Sequence, residues 1–168
     1  MDALTYDARG LVEVDGTPPG IADIDGDRAE FDARDLTTRQ INLELRSLLY
    51  ERGVTDVTVK NPGSKHSIGV GILTRCKITF EGSLGYFGCG LIDGPEIHIT
   101  GRVGWSACEN MMSGVVVIDG NAGSLTGAAM RGGDLVALAS EEIAIRAVLD
   151  REIDTYDPFE GEVMVWTR

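Results

Sequence analysis

The feature that most constrains this chain is an internal repeat of 19 residues. When the 168-residue sequence is shifted against itself by 19 positions, glycines fall into one column and a second column lies three residues later. The first column consists of Gly63, Gly82, Gly101 and Gly120, and the second of His66, Gly85, Gly104 and Gly123. A fixed period of this length is typical of solenoids, in which each repeat stacks on its neighbours.

Apolar columns keep phase with the glycine columns. Each repeat ends in a strand-forming run: KITF, EIHI, VVVID and DLVAL. The same shift aligns Val59, Ile78, Ile97, Val116 and Leu135, and a second column lies two residues further on: Phe80, Ile99, Ile118 and Ala137. A spacing of two residues is that of one face of a β-strand. Chance self-alignment of a glycine-rich sequence would not keep these columns in phase.

The predicted fold is therefore all-β: a right-handed parallel β-solenoid of about four 19-residue coils over residues 61–138. In such a solenoid, residues one period apart lie on top of each other. The glycine columns supply either positive φ or room for close backbone approach at a turn that recurs in every coil.

Residues 1–60 are predicted to form a lead that contains one helix, over 37–52. Thr37 is its N-cap, with Gln40 completing a capping box, and Gly53 ends it. Its apolar residues recur at helical spacing: Ile41, Leu45, Leu48 and Leu49. Residues 11–14 (LVEV) indicate a strand, and VTDVTV at 54–59 leads into the first coil.

Residues 139–168 are predicted to cap the other end of the solenoid. The repeat fails after residue 138, and SEEIAIRAVLDREI then indicates an amphipathic helix to about residue 153. A last strand is predicted at EVMVW. An open solenoid end exposes unpaired strand edges, so a helix laid over it is expected.

The charge balance disfavours two classes of partner. Carboxylates outnumber lysines and arginines 27 to 15, for a net charge of −12. Phosphate backbones and anionic membranes both attract clustered cations, so neither nucleic acid nor a membrane is expected as a partner. The opening MDALTYDARG lacks an apolar export segment, and no long apolar run occurs, which predicts a cytoplasmic protein with reduced cysteines.

No motif for catalysis, cofactor binding or metal binding is found. His66 and His98 have no metal-ligand partner at the usual spacing, and packing is the interpretation favoured for Cys76, Cys89 and Cys108. The partial G-x-G runs at 69–71 and 88–90 lack the rest of a dinucleotide-binding fingerprint. No catalytic, cofactor-binding or metal residue is therefore predicted in this chain.

One coil differs from its neighbours in the size of its side chains. Glu109 stands where the neighbouring coils have Gly90 and Ala128, Asn110 follows it, and Trp105 lies one period after Tyr86 on the same face. We predict Trp105, Glu109 and Asn110 as a partner interface. Met111, in the same ENMMSG run, either projects with them or joins the apolar core column.

Residues 61–136, from NPGSKHSIGVG to MRGGDLV, resemble a family of Gly-x-x-Gly-repeat β-solenoids. The segments GYFGCGLIDG, GWSACENMMSG and GNAGSLTGAAMRGG carry the resemblance, and the helix TTRQINLELRSLLYERG extends it to roughly 37–138. The family comprises the C-terminal domain of the glutamate synthase large chain, a stand-alone subunit of N-methylglutamate synthase-type complexes, and one of the subunits of formylmethanofuran dehydrogenase.

The resemblance implies a non-catalytic scaffold subunit of a glutamate synthase-like complex. The implied partners are a glutamine amidotransferase-like chain and a flavin-binding synthase chain, and FMN and an iron–sulfur cluster would belong to the latter. Two alternatives stay open: an independent homo-oligomeric assembly or binding module, and a subunit of the formylmethanofuran dehydrogenase type.

Overall fold

The computed structural model describes residues 16–138 and 162–166, and within them one eight-stranded sheet follows the chain order. The strands are β1 (Asp23–Asp25), β2 (Arg28–Asp32), β3 (Asp56–Lys60), β4 (Lys77–Glu81), β5 (Asp93–Ile99), β6 (Ser113–Ile118), β7 (Asp134–Leu138) and β8 (Glu162–Trp166). After the antiparallel β1–β2 hairpin every pairing is parallel. The chain therefore winds as a parallel β-solenoid, and the predicted fold class is confirmed.

The predicted strand at EVMVW is confirmed as β8, which pairs in parallel with β7. The strand predicted at 11–14 and the helix predicted at 140–153 lie outside the described residues. Nothing in the repeat pattern indicates the β1–β2 hairpin, although its two-residue Gly-Asp loop at 26–27, with glycine first, is a hairpin signal. Strand β2 covers the edge of β3 that would otherwise be open.

The register of the first coil differs from the predicted one by two residues. Val57, not Val59, pairs with Ile78, and Val59 pairs with Phe80. The paired residues of β3 and β4 are 21 positions apart, whereas those of β4 and β5 are 19 apart. A slip of two residues keeps the same side chains facing inward, which is why both valines are buried in either register.

The core consists of apolar columns that run through the stacked coils. Those of the sheet are Val57, Ile78, Ile97, Val116 and Leu135, and Val59, Phe80, Ile99, Ile118 and Ala137, all buried. A third buried set lies opposite: Ile72, Ile92, Met111 and Met130. Met111 therefore belongs to the core, and it does not project with Glu109 and Asn110.

The outer face of the sheet carries a ladder of alternating charges. Arg28, Asp56, Lys77 and Glu96 are successive register partners. Ion pairs join Arg28 to Asp56 at 3.6 Å and Lys77 to Glu96 at 3.7 Å. Opposite charges on neighbouring strands each contribute about 0.2–1 kcal/mol, and they favour the observed register.

Opposite the sheet, each coil contains a segment that we call the turn face: residues 66–71, 86–91, 105–110 and 124–129. Residues with positive φ, most of them not glycine, recur in it at every second position, as at Phe87 (56°), Cys89 (56°) and Leu91 (57°). The N–H groups of successive positive-φ residues donate alternately to the next coil and to the previous coil. The N–H of Phe87 donates to Trp105 O of the next coil at 2.9 Å, and that of Cys89 to Ile68 O of the previous coil at 2.8 Å.

The glycine columns act in two ways. Gly63 and Gly82 have positive φ, of 67° and 139°. Gly104 and Gly123 do not, but a Cβ at Gly104 would lie 2.7 Å from Gly85 C, and one at Gly123 would lie 2.6 Å from Gly104 C. These later glycines are therefore required by the close stacking of the coils.

Helix α1 (Thr38–Arg46) begins at the predicted capping box. The Gln40 N–H donates to Thr37 Oγ1 at 3.3 Å, and the Thr37 N–H donates to Gln40 Oε1 at 2.9 Å. The helical path continues as a π-helical turn over Ser47–Glu51 and stops before Gly53, whose φ is 71°. The predicted helix is therefore present, with its last turn wider than an α-helix.

Side chains four residues apart along this helix bond to the backbone of the first coil. The Asn42 amide donates to Ser67 O at 2.8 Å and accepts from the Gly69 N–H at 2.9 Å. Three further bonds flank it: Thr38 Oγ1 to His66 O (3.1 Å), Arg46 Nη2 to Val70 O (3.3 Å) and Leu73 N to Tyr50 Oη (2.8 Å). The helix therefore covers the turn-face edge that no earlier coil covers.

Candidate partner interface

The three residues predicted as an interface lie along one turn-face run, but at its two ends. Trp105 begins the run and is 68% exposed. Glu109 and Asn110 end it and are half-buried. Asn110 has a φ of 57°, and its N–H donates to Ala128 O at 2.8 Å. Trp105 is therefore the one member of this set whose side chain is largely open to solvent.

Trp105 belongs to a column of exposed side chains that begins with His66 and Tyr86. Tyr86 is 51% exposed, and its ring meets the His66 ring edge-on at a centroid distance of 6.4 Å. The Tyr86 N–H donates to His66 Nδ1 at 2.8 Å. This bond needs a lone pair on Nδ1, so the proton of the neutral imidazole is on Nε2.

A groove lies beside this column, and we call it the aromatic groove. Its volume is about 360 Å³, and Tyr86, Trp105 and Arg102 line it together with backbone of the glycine columns. Aromatic rings with one open face are suited to bind an apolar side chain from outside.

A second groove, which we call the helix groove, lies between α1 and the turn face. Its volume is about 620 Å³, and Arg39, Arg46 and Phe87 are among its lining residues. Phe87 of the helix groove directly follows Tyr86 of the aromatic groove, and the centroids of their rings lie 5.9 Å apart. Sequence spacing alone does not indicate this groove, because it forms only when the helix docks on the coil.

Among the residues that the structure describes, neither groove is lined by an aspartate or a glutamate. Three arginines line them: Arg39 and Arg102, which are exposed, and Arg46, which is half-buried. Within the described residues none of the three takes part in an ion pair. The local charge is thus positive on a chain whose net charge is −12.

The three cysteines are buried and free. Burial raises the pKa of Cys76 to about 11 and that of Cys108 to about 12. The pKa of Cys89 is raised well above its ordinary value by burial and, in smaller part, by the neighbouring Cys108. All three are protonated thiols at neutral pH, and a thiol is a poor nucleophile compared with its thiolate.

The remaining histidine, His98, lies on the outer face of the sheet with Nε2 3.0 Å from Asp119 Oδ2. In the part of the chain that the structure describes, no group of three or more His, Cys, Asp or Glu side chains is arranged to hold a metal ion. The helix described is too short and too polar to cross a bilayer, and the same part of the chain contains no other membrane-spanning candidate.

Fold and surface together define this chain as a parallel β-solenoid with an exposed aromatic column on its turn face. Over 82 residues, or 48% of the chain, its sequence is 39% identical to Protein GlxC of Rhizobium meliloti (strain 1021). The chain spans about a third of the length of that curated relative, since the match covers 35% of it. No family model and no solved structure matches the chain.

Proposed function

We propose that this chain is a non-catalytic scaffold subunit of a glutamate synthase-like complex of the N-methylglutamate synthase type. The observation that supports this role most directly is Trp105, which is 68% exposed and lines the aromatic groove. Tryptophan is among the residues most enriched at energetic hot spots of protein interfaces. The similarity to Protein GlxC supports a glutamate synthase-like relationship, together with the repeat motifs.

In this proposal the chemistry belongs to partner chains. A glutamine amidotransferase-like chain supplies ammonia, and a flavin-binding synthase chain, with FMN and an iron–sulfur cluster, uses it. The complex would act in the cytoplasm on an amine. The protonated, buried thiols of the solenoid support a structural role for its cysteines.

Co-expression with the neighbouring genes of the native host tests the proposal. We expect a stable complex that elutes well above the 18.0 kDa of this chain in gel filtration. An interface that buries apolar area persists at high salt, whereas a contact based on surface charge alone is screened. If the chain elutes alone with every neighbour, the scaffold role is wrong.

Trp105→Ala is the sharpest variant for the interface. We expect the affinity of the complex to fall by at least tenfold, which corresponds to about 1.4 kcal/mol. Leu125→Ala is the matched control, since Leu125 is 67% exposed on the turn face but lines neither groove. Normal assembly of Trp105→Ala would place the interface elsewhere.

Glu109 and Asn110 need a different substitution. Because Asn110 has a left-handed φ, alanine there would strain the backbone, whereas Asn110→Gly removes only the side chain. We expect Glu109→Gln with Asn110→Gly to weaken assembly while the thermal midpoint of the isolated chain stays within a few degrees. Unchanged assembly would restrict the interface to the Trp105 end of the run.

A homo-oligomeric module is the second candidate, and one observation favours it. Val115, which is 37% exposed, and the half-buried Val117 and Val136 lie on the outer face of the sheet, where the charge ladder ends. Light scattering on the isolated chain separates the two candidates. A dimer that Val115→Lys dissociates would favour the homo-oligomer.

A further inference from the structure

We propose that the aromatic groove and the helix groove together bind an acidic segment of a partner chain that also carries an aromatic or branched aliphatic residue. The inference rests on the proposed function only in requiring a partner chain. It names which surface that partner meets and which side chains it brings.

The two grooves are lined by neighbouring residues of one turn-face run, Tyr86 and Phe87. The helix groove has Arg39 and Arg46 on its α1 side and Phe87 on its turn-face side. Tyr86, next to Phe87, belongs to the aromatic groove, which ends at Arg102 and Trp105. In the proposed complex, an extended segment lies along α1, passes Phe87 and Tyr86, and reaches Trp105.

Charge indicates an acidic occupant. Of the described residues, three arginines and no carboxylate line the surface, although carboxylates outnumber basic side chains 27 to 15 in the chain. Two of these arginines, Arg39 and Arg102, have exposed side chains with no hydrogen bond or ion pair within the described residues. A guanidinium binds a carboxylate through two parallel hydrogen bonds, so unengaged arginines favour Asp or Glu.

The apolar requirement comes from the rings. Trp105 and Tyr86 are 68% and 51% exposed, and they line the aromatic groove together with Arg102, which is also exposed. A purely acidic segment would leave both rings in water. A segment with one aromatic or branched aliphatic residue among its carboxylates covers the rings and meets the arginines at the same time.

A second copy of this chain is a poorer occupant. Two copies would bring together chains that each carry a net charge of −12, so long-range repulsion opposes their approach. A flexible acidic segment of a partner places its carboxylates at the arginines without bringing a second whole chain of net charge −12 against this one.

The test is a selection of random 12-residue peptides, displayed on phage, on the immobilised full-length chain. We expect the enriched peptides to contain at least two Asp or Glu together with Trp, Phe or Leu. The affinity of the best synthetic peptide should fall at least tenfold in Arg102→Glu and in Trp105→Ala. Arg131→Glu is the matched control, because Arg131 is exposed and lines neither groove, and it should bind within twofold of the wild type.

Several results would overturn the inference. No enrichment, enrichment of basic peptides, or an equal loss in Arg131→Glu would each show that the surface does not select acidic segments. A dimer in light scattering that Trp105→Ala dissociates would make a second copy the occupant. Neutralising the chain's own Asp2, Asp7, Glu13 and Asp15 to Asn or Gln would raise peptide affinity tenfold if residues 1–15 occupied the grooves instead.

The inference and the proposed function fail separately. Peptide selection needs no partner chain, so the charge preference is tested even if no complex forms with neighbouring gene products. Conversely, a complex that assembles normally with Arg102→Glu would keep the scaffold role while contradicting the acidic-segment inference.

Discussion

Replacing Gly104 by alanine tests whether the glycine columns exist for coil stacking. A Cβ on Gly104 would lie 2.7 Å from Gly85 C and 2.8 Å from Tyr86 N, and both are backbone atoms of the previous coil. Ordinary contact of a Cβ begins near 3.4 Å, so the two coils would have to separate by roughly 0.7 Å at this point. The φ of Gly104 is not positive, so the penalty comes from contact and not from backbone conformation.

The cost follows from the hydrogen bonds that span these two coils. The Gly104 N–H donates to Leu84 O at 3.0 Å, and a separation of this size would stretch the bond beyond hydrogen-bonding distance. The Phe87 N–H, which donates to Trp105 O at 2.9 Å, crosses the same gap. Leaving buried backbone groups unpaired costs about 1–3 kcal/mol each, so we expect a loss of about 2–4 kcal/mol.

Two control variants separate contact from conformation. Gly53 has a φ of 71° and open space around it, so Gly53→Ala should lose about 1–2 kcal/mol through backbone strain alone. Gly16→Ala would place its Cβ 2.7 Å from the end of the Leu43 side chain, which can rotate away, so its effect should be near zero. Urea unfolding of the three variants gives the free energies of unfolding directly.

Thermal and urea unfolding can each contradict the coil-stacking explanation. For a chain of this size, each kcal/mol shifts the thermal midpoint by about 2–4 °C, so Gly104→Ala should lower it by roughly 5–15 °C. If Gly104→Ala and Gly16→Ala unfold within about 0.5 kcal/mol of each other, close coil stacking does not explain the column. If Gly53→Ala costs as much as Gly104→Ala, conformation and not contact dominates.

Three further predictions concern the turn face and its surroundings. Leu125→Gly should raise the free energy of unfolding in urea by about 0.5–1 kcal/mol, because it removes the strain of a φ of 63° at a residue that is 67% exposed. Leu73→Gly, at an exposed residue without positive φ, should lower it. Asn42→Ala should lower the free energy of unfolding by about 2–4 kcal/mol, since it leaves Ser67 O and the Gly69 N–H unpaired. Hydrogen exchange at the Gly69 N–H should accelerate, and unchanged exchange would mean that the helix does not protect this edge of the first coil. The pKa of Cys108 is about 12 in the folded chain, and that of an unfolded cysteine is about 8.5. The contribution of this thiol to the free energy of unfolding is therefore complete below about pH 8.5. It is lost as pH rises towards 12, by up to about 1.4 kcal/mol per pH unit. Cys108→Ala should remove that part of the slope, and an unchanged slope would mean that the thiol is not buried.

The sheet of this solenoid was predictable because two periods agree. A spacing of two along each strand and of 19 between strands fixes which residues face inward, and residues such as Ile78, Ile97 and Val116 are indeed buried in register. The register of the first coil was not predictable from the same pattern. A slip of two residues preserves the inward face, so Val57 and Val59 satisfy the apolar column equally well.

The turn face lies beyond what residue types indicate. Phe87, Leu91 and Leu125 all have positive φ, which disfavours such residues by about 1–2 kcal/mol each. Hydrogen bonds between neighbouring coils compensate for this cost, and they exist only once the coils have stacked. The helix groove has the same character, because Arg39 of α1 and Val70 of the first coil line one groove only once the helix has docked on that coil.

The turn face also separates folding from surface chemistry. Its shape is fixed by backbone hydrogen bonds from coil to coil, so the outward side chains at the start of each run are free to vary. They do vary, as His66, Tyr86, Trp105 and Ser124. A serine at this position in the last coil shows that the fold does not require an aromatic ring there. The exposed ring of Trp105 therefore needs a reason outside folding, and recognition of another chain supplies one.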